Sequence, residues 1–416
     1  MTDAVRTAEE LAVRFAERAA AHDADASFPA QDMAELRDAG LLGLLVPVEL
    51  GGMGAGFEEY TRVAIALARG SGATALLFNM HASVTGALAT VPEDLARSLG
   101  AGDAFFAHRR QVLADAAKGA CYGVAITERG AGSRLSKMTT TFVPEGEGYR
   151  VRGHKSVCSG AGHLDAYLVA ARAAEADQPT PESVGVAPGS AVTGQDGDAP
   201  RVSHFLVPAG DGIEVDDTWN PLGMRATASN GFALDVTVPT SALLGGVEGL
   251  AVLLAYVLPQ WLVASYAAVY AGVARAAVDE AVAYVGARTV AGQPSGLAMV
   301  GFVRARLGRA DAQVEAARLA VEEAGRRVDA APGDPETNRW VYRAKLLAGD
   351  AAFEAAAACT EACGLGALRR GQPLERLLRD ARCGPVMPPS SDVSADVLGT
   401  AALGRDPVEG TEVRPW

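Results

Sequence analysis

The sequence predicts an α+β protein with an all-α N-terminal domain, a middle β domain of barrel or sandwich type, and a C-terminal four-helix bundle. Three observations carry that prediction. Apolar residues recur at helical spacing up to about residue 120, and the period drops to two between 121 and about 240. Long alanine-rich helical runs then continue toward the end of the chain. At 416 residues there is room for three domains with substantial cores, divided as 1–120, 121–240 and 241–416.

In the first block, residues 1–25 read as an amphipathic, charge-studded helix rather than a targeting leader, since no basic segment precedes an apolar run. Gly51, Gly52, Gly54 and Gly56 mark a turn between helical periods. Residues 73–88 are apolar nearly all round and predict a buried helix. The middle block contains the period-two runs TTTFV, YRVRG, AYLVAA, HFLVPA and FALDVTVP. Residues 173–201, rich in Pro, Gly and Asp, read as an exposed hairpin insertion. In the last block, helices are expected over 249–288, 296–329, 334–363 and 374–381. The apolar run 250–274 contains Pro259 and Gln260 and reads as a core helix, not a membrane span.

Composition narrows the function. A net charge of −13 argues against nucleic acid, whose phosphates demand a basic face. Cys121, Cys158, Cys359, Cys363 and Cys383 have neither a disulfide framework nor a zinc spacing, so packed thiols, no metal and a cytoplasmic location are expected. There is no G-x-G-x-x-G after a strand and no P-loop, which sets aside a Rossmann-type nicotinamide site.

Two stretches carry the chemistry, 125–136 (AITERGAGSRLS) and 152–162 (RGHKSVCSGAG). Each reads as a strand entering a loop of small residues with hydroxyls, Thr127 and Ser133 in the first and Ser159 in the second. Such loops let main-chain N–H groups approach a planar or anionic ligand, and the hydroxyls add directional bonds. The plain alternative is that these hydroxyls only satisfy strand ends.

The order of motifs resembles the acyl-CoA dehydrogenase superfamily of flavoproteins along nearly the whole chain. Leu36, Arg37, Asp38, Ala39, Gly40, Leu41, Leu42 and Gly43, then Val46, Pro47, Glu49, Leu50, Gly51 and Gly52, are similar to the family's opening helix and Gly-Gly turn. Ile126, Thr127 and Glu128 with Ala131, Gly132 and Ser133 resemble its T-E-P-x-A-G-S-D segment. Gly153, His154 and Lys155 followed by Ser159 resemble the G-x-K partner of that segment. Leu222, Gly223, Met224 and Arg225 with Thr227 and Ser229 resemble G-M-R-x-T-x-S, and Arg379, Asp380, Ala381 and Arg382 the final R-D-A-R turn.

The resemblance implies FAD, held by Ile126, Thr127, Gly132, Ser133, Val157 and Ser159, with Thr127 and Ser159 at the ring edge and Ser133 facing the pyrophosphate. It places His81, Arg225 and Met387 on the substrate side. It also implies a homodimer or homotetramer, in which Arg288, Gly364 and Gly366 of a neighbouring copy close the cofactor site. That cross-subunit half departs from the family: Ala291 replaces an aromatic, and Thr360 the glutamine of the Q-x-x-G-G-x-G loop. Arg129 and Arg134 also replace a Pro and an Asp, and Val157 stands where an aromatic often shields the flavin.

The family reaction is α,β-desaturation of an acyl thioester, on CoA or a carrier protein, and it needs a carboxylate base. The usual glutamate position is Pro388, and the position used by another branch falls at about Leu262 and Val263. Asp392, Glu361 and His81 are the displaced candidates, Asp392 foremost. Desaturation is the leading expectation. The alternatives are a flavin-dependent monooxygenase on the same fold, or a non-catalytic subunit of a heteromeric dehydrogenase.

Overall fold

The computed structural model describes residues 2–174, 201–257, 259–289 and 296–405. The expected insertion at 173–201 therefore lies almost wholly outside the described residues, as do the arm positions 290–295.

The chain opens with α1 (Asp3–Asp25), α2 (Ala30–Asp38), α3 (Phe57–Gly70), α4 (Gly72–Thr90), α5 (Glu93–Ser98) and α6 (Asp103–Ala117). α1 starts where the Thr2 hydroxyl accepts from the Val5 N–H, and it buries Val5, Ala8, Leu11, Ala12, Phe15 and Ala19 at helical spacing. α4 is capped by Ser71, whose side chain accepts from the Thr74 N–H, and is buried on nearly every face as its composition predicts.

The middle domain is one sheet of β1 (Tyr122–Ala125), β2 (Thr141–Glu145), β3 (Gly148–Lys155), β4 (Ala166–Ala173), β5 (Val202–Pro208), β6 (Ile213–Val215) and β7 (Phe232–Pro239). β4 is its centre. β1 and β2 pair in tandem along one edge of β4, both parallel to it, and β5 pairs antiparallel along the other. Antiparallel β2, β3, β7 and β6 continue the sheet. β4 is buried on both faces, so it reads as an almost unbroken apolar run.

Helices return with α7 (Ala251–Val257), α8 (Ala264–Gly286), α9 (Gly301–Ala330), α10 (Pro335–Cys363), α11 (Pro373–Arg382) and α12 (Ser391–Ala402). α10 packs against both α8 and α9, α11 against α8 and α10, and α3 of the first domain against α8 and α9. Asp334 caps α10 by accepting from the Glu336 and Thr337 N–H groups, with Pro335 at the first helical position.

One expectation is corrected. The helix predicted over 249–288 is broken into α7, a 3-10 turn at Pro259–Leu262, and α8. Proline has no N–H to continue the helix, and Val263 leaves helical geometry at φ −131°, ψ −73°. The break delivers Trp261 and Leu262 to the walls of two cavities. Among the described residues, no helix is long and apolar enough to cross a membrane.

Candidate functional site

A cavity of about 270 Å³ opens where the β domain meets α4, α8 and the segment after α11. From the sheet side it is lined by Val124, Ile126, Thr127, Ser133, Val157 and Ser159, and from the 219–229 loop by Trp219, Met224, Thr227 and Ser229. Leu76, Met80, Leu262, Tyr266, Cys383, Met387 and Pro388 form the helical wall. None of the described residues lining it is Asp, Glu, His, Lys or Arg.

The two sequence stretches are brought together by the sheet. β1 runs parallel to β4, so its end projects Ile126 and Thr127 into the cavity. A tight turn follows, closed by paired bonds of 2.9 Å between the main chains of Glu128 and Gly132, with Gly130 and Gly132 at φ +86° and +63°. The second stretch leaves β3, and the Ser156 N–H donates to the Thr127 carbonyl at 3.1 Å.

Beneath both lies a buried ion pair. Lys155 Nζ donates to Glu128 Oε1 at 2.8 Å and to the Ala170 carbonyl at 2.6 Å. Glu128 also accepts from the Thr139 N–H and hydroxyl, each at 2.6 Å, and from the Thr140 N–H at 3.1 Å. Burial opposes the charged carboxylate, but the ammonium and these donors outweigh it and hold Glu128 at about 2. Burial lowers Lys155 to about 8, partly countered by Glu128.

The 222–229 loop completes the wall under strain. Met224 and Ala228 take left-handed backbone at φ +54° and +43°, which non-glycine residues rarely adopt. Asp380 holds this loop by accepting from the Met224 N–H at 2.6 Å. A Cβ at Gly223 would lie 2.1 Å from the Arg379 carbonyl oxygen, so the loop and α11 meet backbone to backbone.

The hydroxyls form a directed chain. Thr227 donates to the Met224 carbonyl at 2.9 Å. Its oxygen must therefore accept from Ser229, 2.7 Å away, and Ser229 in turn accepts from Ser159 at 2.9 Å. Ser159 thus turns acceptor lone pairs to the cavity. Thr127 and Ser133 line it, and no described residue bonds their hydroxyls.

The other sequence-predicted residues lie elsewhere. His81 is buried behind the cavity, its Nε2 donating to the Leu42 carbonyl at 2.7 Å and its Nδ1 accepting from the Tyr122 N–H at 3.2 Å. That engagement leaves it a scaffold residue rather than a base. Arg225 donates to the Asp23 carbonyl at 2.7 Å and to Asn220 and Pro221, tying the loop to α1 instead of facing substrate. Asp392 is exposed in the first turn of α12, outside the cavity lining, and Glu361 is exposed beside Arg306. Arg288 stacks on the Tyr284 ring at 4.3 Å, at the far end of α8. By helical rise that is roughly 30 Å from Tyr266. Gly364 and Gly366 follow α10 at the same end, so none of these three reaches this cavity within one chain. Motif reading also missed Trp219, whose only signal was an aromatic in an otherwise polar loop.

The chain matches, in order, the acyl-CoA dehydrogenase N-terminal domain over residues 2–95, the middle domain over 123–236 and the C-terminal domain over 263–403. It belongs to the acyl-CoA dehydrogenase family. It is 29% identical to the 3-sulfinopropanoyl-CoA desulfinase of Paraburkholderia xenovorans (strain LB400), over 97% of this chain and 96% of that one. It is also 29% identical to the amino sugar nitrososynthase DnmZ of Streptomyces peucetius, over 92% and 89%. The solved structure of KijD3 in complex with FMN and a dTDP-linked amino-keto sugar superimposes with a TM-score of 0.79 at 25% identity, over 100% and 97% of the two chains. Within the family, then, similar chains carry quite different activities. The cavity is just under the usual size range of small-molecule sites, and its uncharged hydroxyls among apolar walls are of the chemical kind that could meet the polar edge and flat faces of a flavin ring.

Proposed function

We propose that this protein is a flavin-dependent monooxygenase that uses reduced flavin and dioxygen rather than abstracting a proton with a protein carboxylate. One observation carries the reading. Leu262 and Pro388, the two positions where the family resemblance would place a glutamate, both line the cavity, and neither can ionise. The displaced candidates fare no better, because Asp392 is exposed and His81 is engaged on both ring nitrogens. Desaturation of an acyl thioester would need a base that no described lining residue supplies.

When bound, reduced flavin supplies the activation of dioxygen. The chain's own part is to hold the ring and keep water out. Ser159, whose proton is committed to Ser229, would accept from a ring N–H, and Thr127 and Ser133 would donate to ring or phosphate oxygens. Leu76, Met80, Tyr266, Met387 and Trp219 present the apolar surface that excludes water. The flavin is FMN or FAD. FAD would call on a second copy of the chain, whose Arg288, Gly364 and Gly366 could reach the cofactor only across a homodimer or homotetramer interface. The compartment is proposed to be the cytoplasm, where a reductase could supply reduced flavin.

Anaerobic mixing decides the matter. Flavin-loaded protein should keep its yellow absorbance when titrated with short- and long-chain acyl-CoA, and should consume oxygen only with reduced flavin. Anaerobic bleaching by any acyl thioester would overturn the proposal in favour of dehydrogenation. Inertness in both assays, with activity appearing on addition of a paralogue, would favour the subunit role.

A further inference from the structure

Lys345 stands in the middle of α10 and is fully buried. Its Nζ donates to the Gly384 carbonyl at 3.1 Å, two residues past the end of α11. Among the described residues it has no carboxylate at bonding distance, and Asp350 of the same helix acts on it through charge alone. Lys155, equally buried, instead faces Glu128 at 2.8 Å. A buried charge without a counter-charge costs the fold free energy. Stability therefore does not account for an ammonium at this position.

What Lys345 touches is the back of the cavity's helical wall. Gly349 lies four residues on, along the same face of α10. There the helix and the turn after α11 meet backbone to backbone, since a Cβ on Gly384 would lie 2.9 Å from the Gly349 carbonyl oxygen. The Ser391 hydroxyl donates to Asp350 at 2.5 Å, and its N–H to the Pro385 carbonyl at 2.8 Å. The turn held in this way carries Cys383, Met387 and Pro388 to the cavity, and the Met387 N–H closes it on the Cys383 carbonyl at 2.9 Å. The ammonium also sits at the negative end of α11, where a cation is favoured.

We propose that Lys345 is a positioning residue of the cavity, its ammonium holding the Gly384 carbonyl and so setting the Cys383–Pro388 turn against the bound flavin. The inference rests on the reading that a flavin fills this cavity, and it deepens that reading with the residue that governs one wall. Burial pushes the ammonium down to about 8 from 10.5, against the pull of Asp350. The other titratable groups bordering the turn are Tyr270 of α8, Asp380 of α11 and Cys383 itself. Burial raises the Tyr270 hydroxyl and holds the Cys383 thiol at about 11, so both stay neutral where Lys345 discharges. Asp380 is engaged by the Met224 N–H. Flavin binding and protonation of Lys345 both favour the closed turn and are therefore linked.

Titration of the full-length protein with FMN, followed by quenching of flavin fluorescence, tests this without turnover. Lys345→Met should weaken FMN binding about tenfold at pH 7, by the worth of one hydrogen bond from a charged donor. The parent's affinity should fall about fivefold between pH 7 and 9 as the ammonium discharges, and Lys345→Met should lose that slope. Lys155 titrates over the same range and is unchanged in the variant, so the difference between the two profiles belongs to Lys345. Asp350→Asn keeps an oxygen for Ser391 but removes the charge that favours the ammonium, and should move the fall to lower pH. Undiminished binding in Lys345→Met, a slope that survives it, or an unmoved midpoint in Asp350→Asn would each overturn the proposal. Should Lys345→Met not fold, the parent's slope and its shift in Asp350→Asn still decide. A parent that binds no flavin sinks the flavin reading and this inference with it, whereas binding indifferent to Lys345 sinks this inference alone.

Discussion

The Lys155 ammonium lies 2.8 Å from Glu128 Oε1, with both side chains buried, and this pair joins the two loops that form the sheet side of the cavity proposed for the flavin. Lys155 ends β3 just before the second loop, and Glu128 lies within the first, directly after Thr127. The pair therefore fixes the relative position of Thr127 and Ser159.

Removing one partner strands the other charge in the core. Glu128→Gln should destabilise the fold by about 3–5 kcal/mol, read by denaturant unfolding. The sign with pH follows from the depressed carboxyl. Its folded value is about 2 against an ordinary 4.5, so its contribution is complete above pH 4.5 and is lost as pH falls toward 2. Melting temperature against pH should lose that component of its acid limb in the variant.

His81 produces a second acid-sensitive step. Burial holds its ring at about 4 instead of 6.5, despite the opposing bond to Leu42 and the charge of Asp165. The unfolded chain takes up a proton first as pH falls, so stability is full above pH 6.5 and declines toward pH 4. Protonation would also set an Nδ1–H against the Tyr122 N–H. His81→Gln should flatten the melting-temperature profile between those values; an unchanged slope would refute the assignment. His204 contributes in the same direction and remains in that variant.

Ser229 sets the direction of the hydroxyl chain. Ser229→Ala leaves Ser159 without an acceptor for its proton, turning a donor toward the cavity. Flavin affinity, followed by quenching of flavin fluorescence, should fall about fivefold, by the usual worth of one hydrogen bond. Unaltered affinity would show that Ser159 does not meet the ring.

Gly223→Ala drives a methyl group into the Arg379 carbonyl. Both sides of the clash are backbone, so α11 or the 222–229 loop must shift, at a cost of about 1–3 kcal/mol. Because Met224 and Thr227 line the cavity, flavin affinity should drop together with the melting temperature.

Asp392→Asn is the contrasting case. The side chain is exposed and outside the cavity, so oxygen consumption with reduced flavin should stay within about twofold of the parent. A loss of tenfold or more would restore Asp392 to the chemistry.

The order of helical, β and helical blocks was legible in the sequence because burial periodicity is a local property of a strand or helix. Ile126, Thr127, Ser133, Val157, Ser159 and Met387 line one cavity, as their small-residue loops and motif context suggested. What needed the folded chain was every relationship between distant segments. Nothing local in Glu128 or Lys155 says that each neutralises the other, or that Asp380 holds the Met224 amide. His81 and Arg225 look available for chemistry in the sequence, and only tertiary contacts show their polar atoms already taken. Pro388 and Leu262 could be seen to lack a proton-accepting group, yet whether another acid replaced them depended on which side chains share the cavity. Side-chain identity is written residue by residue, whereas burial, pairing and the sign of a pKa shift belong to the environment that folding assembles.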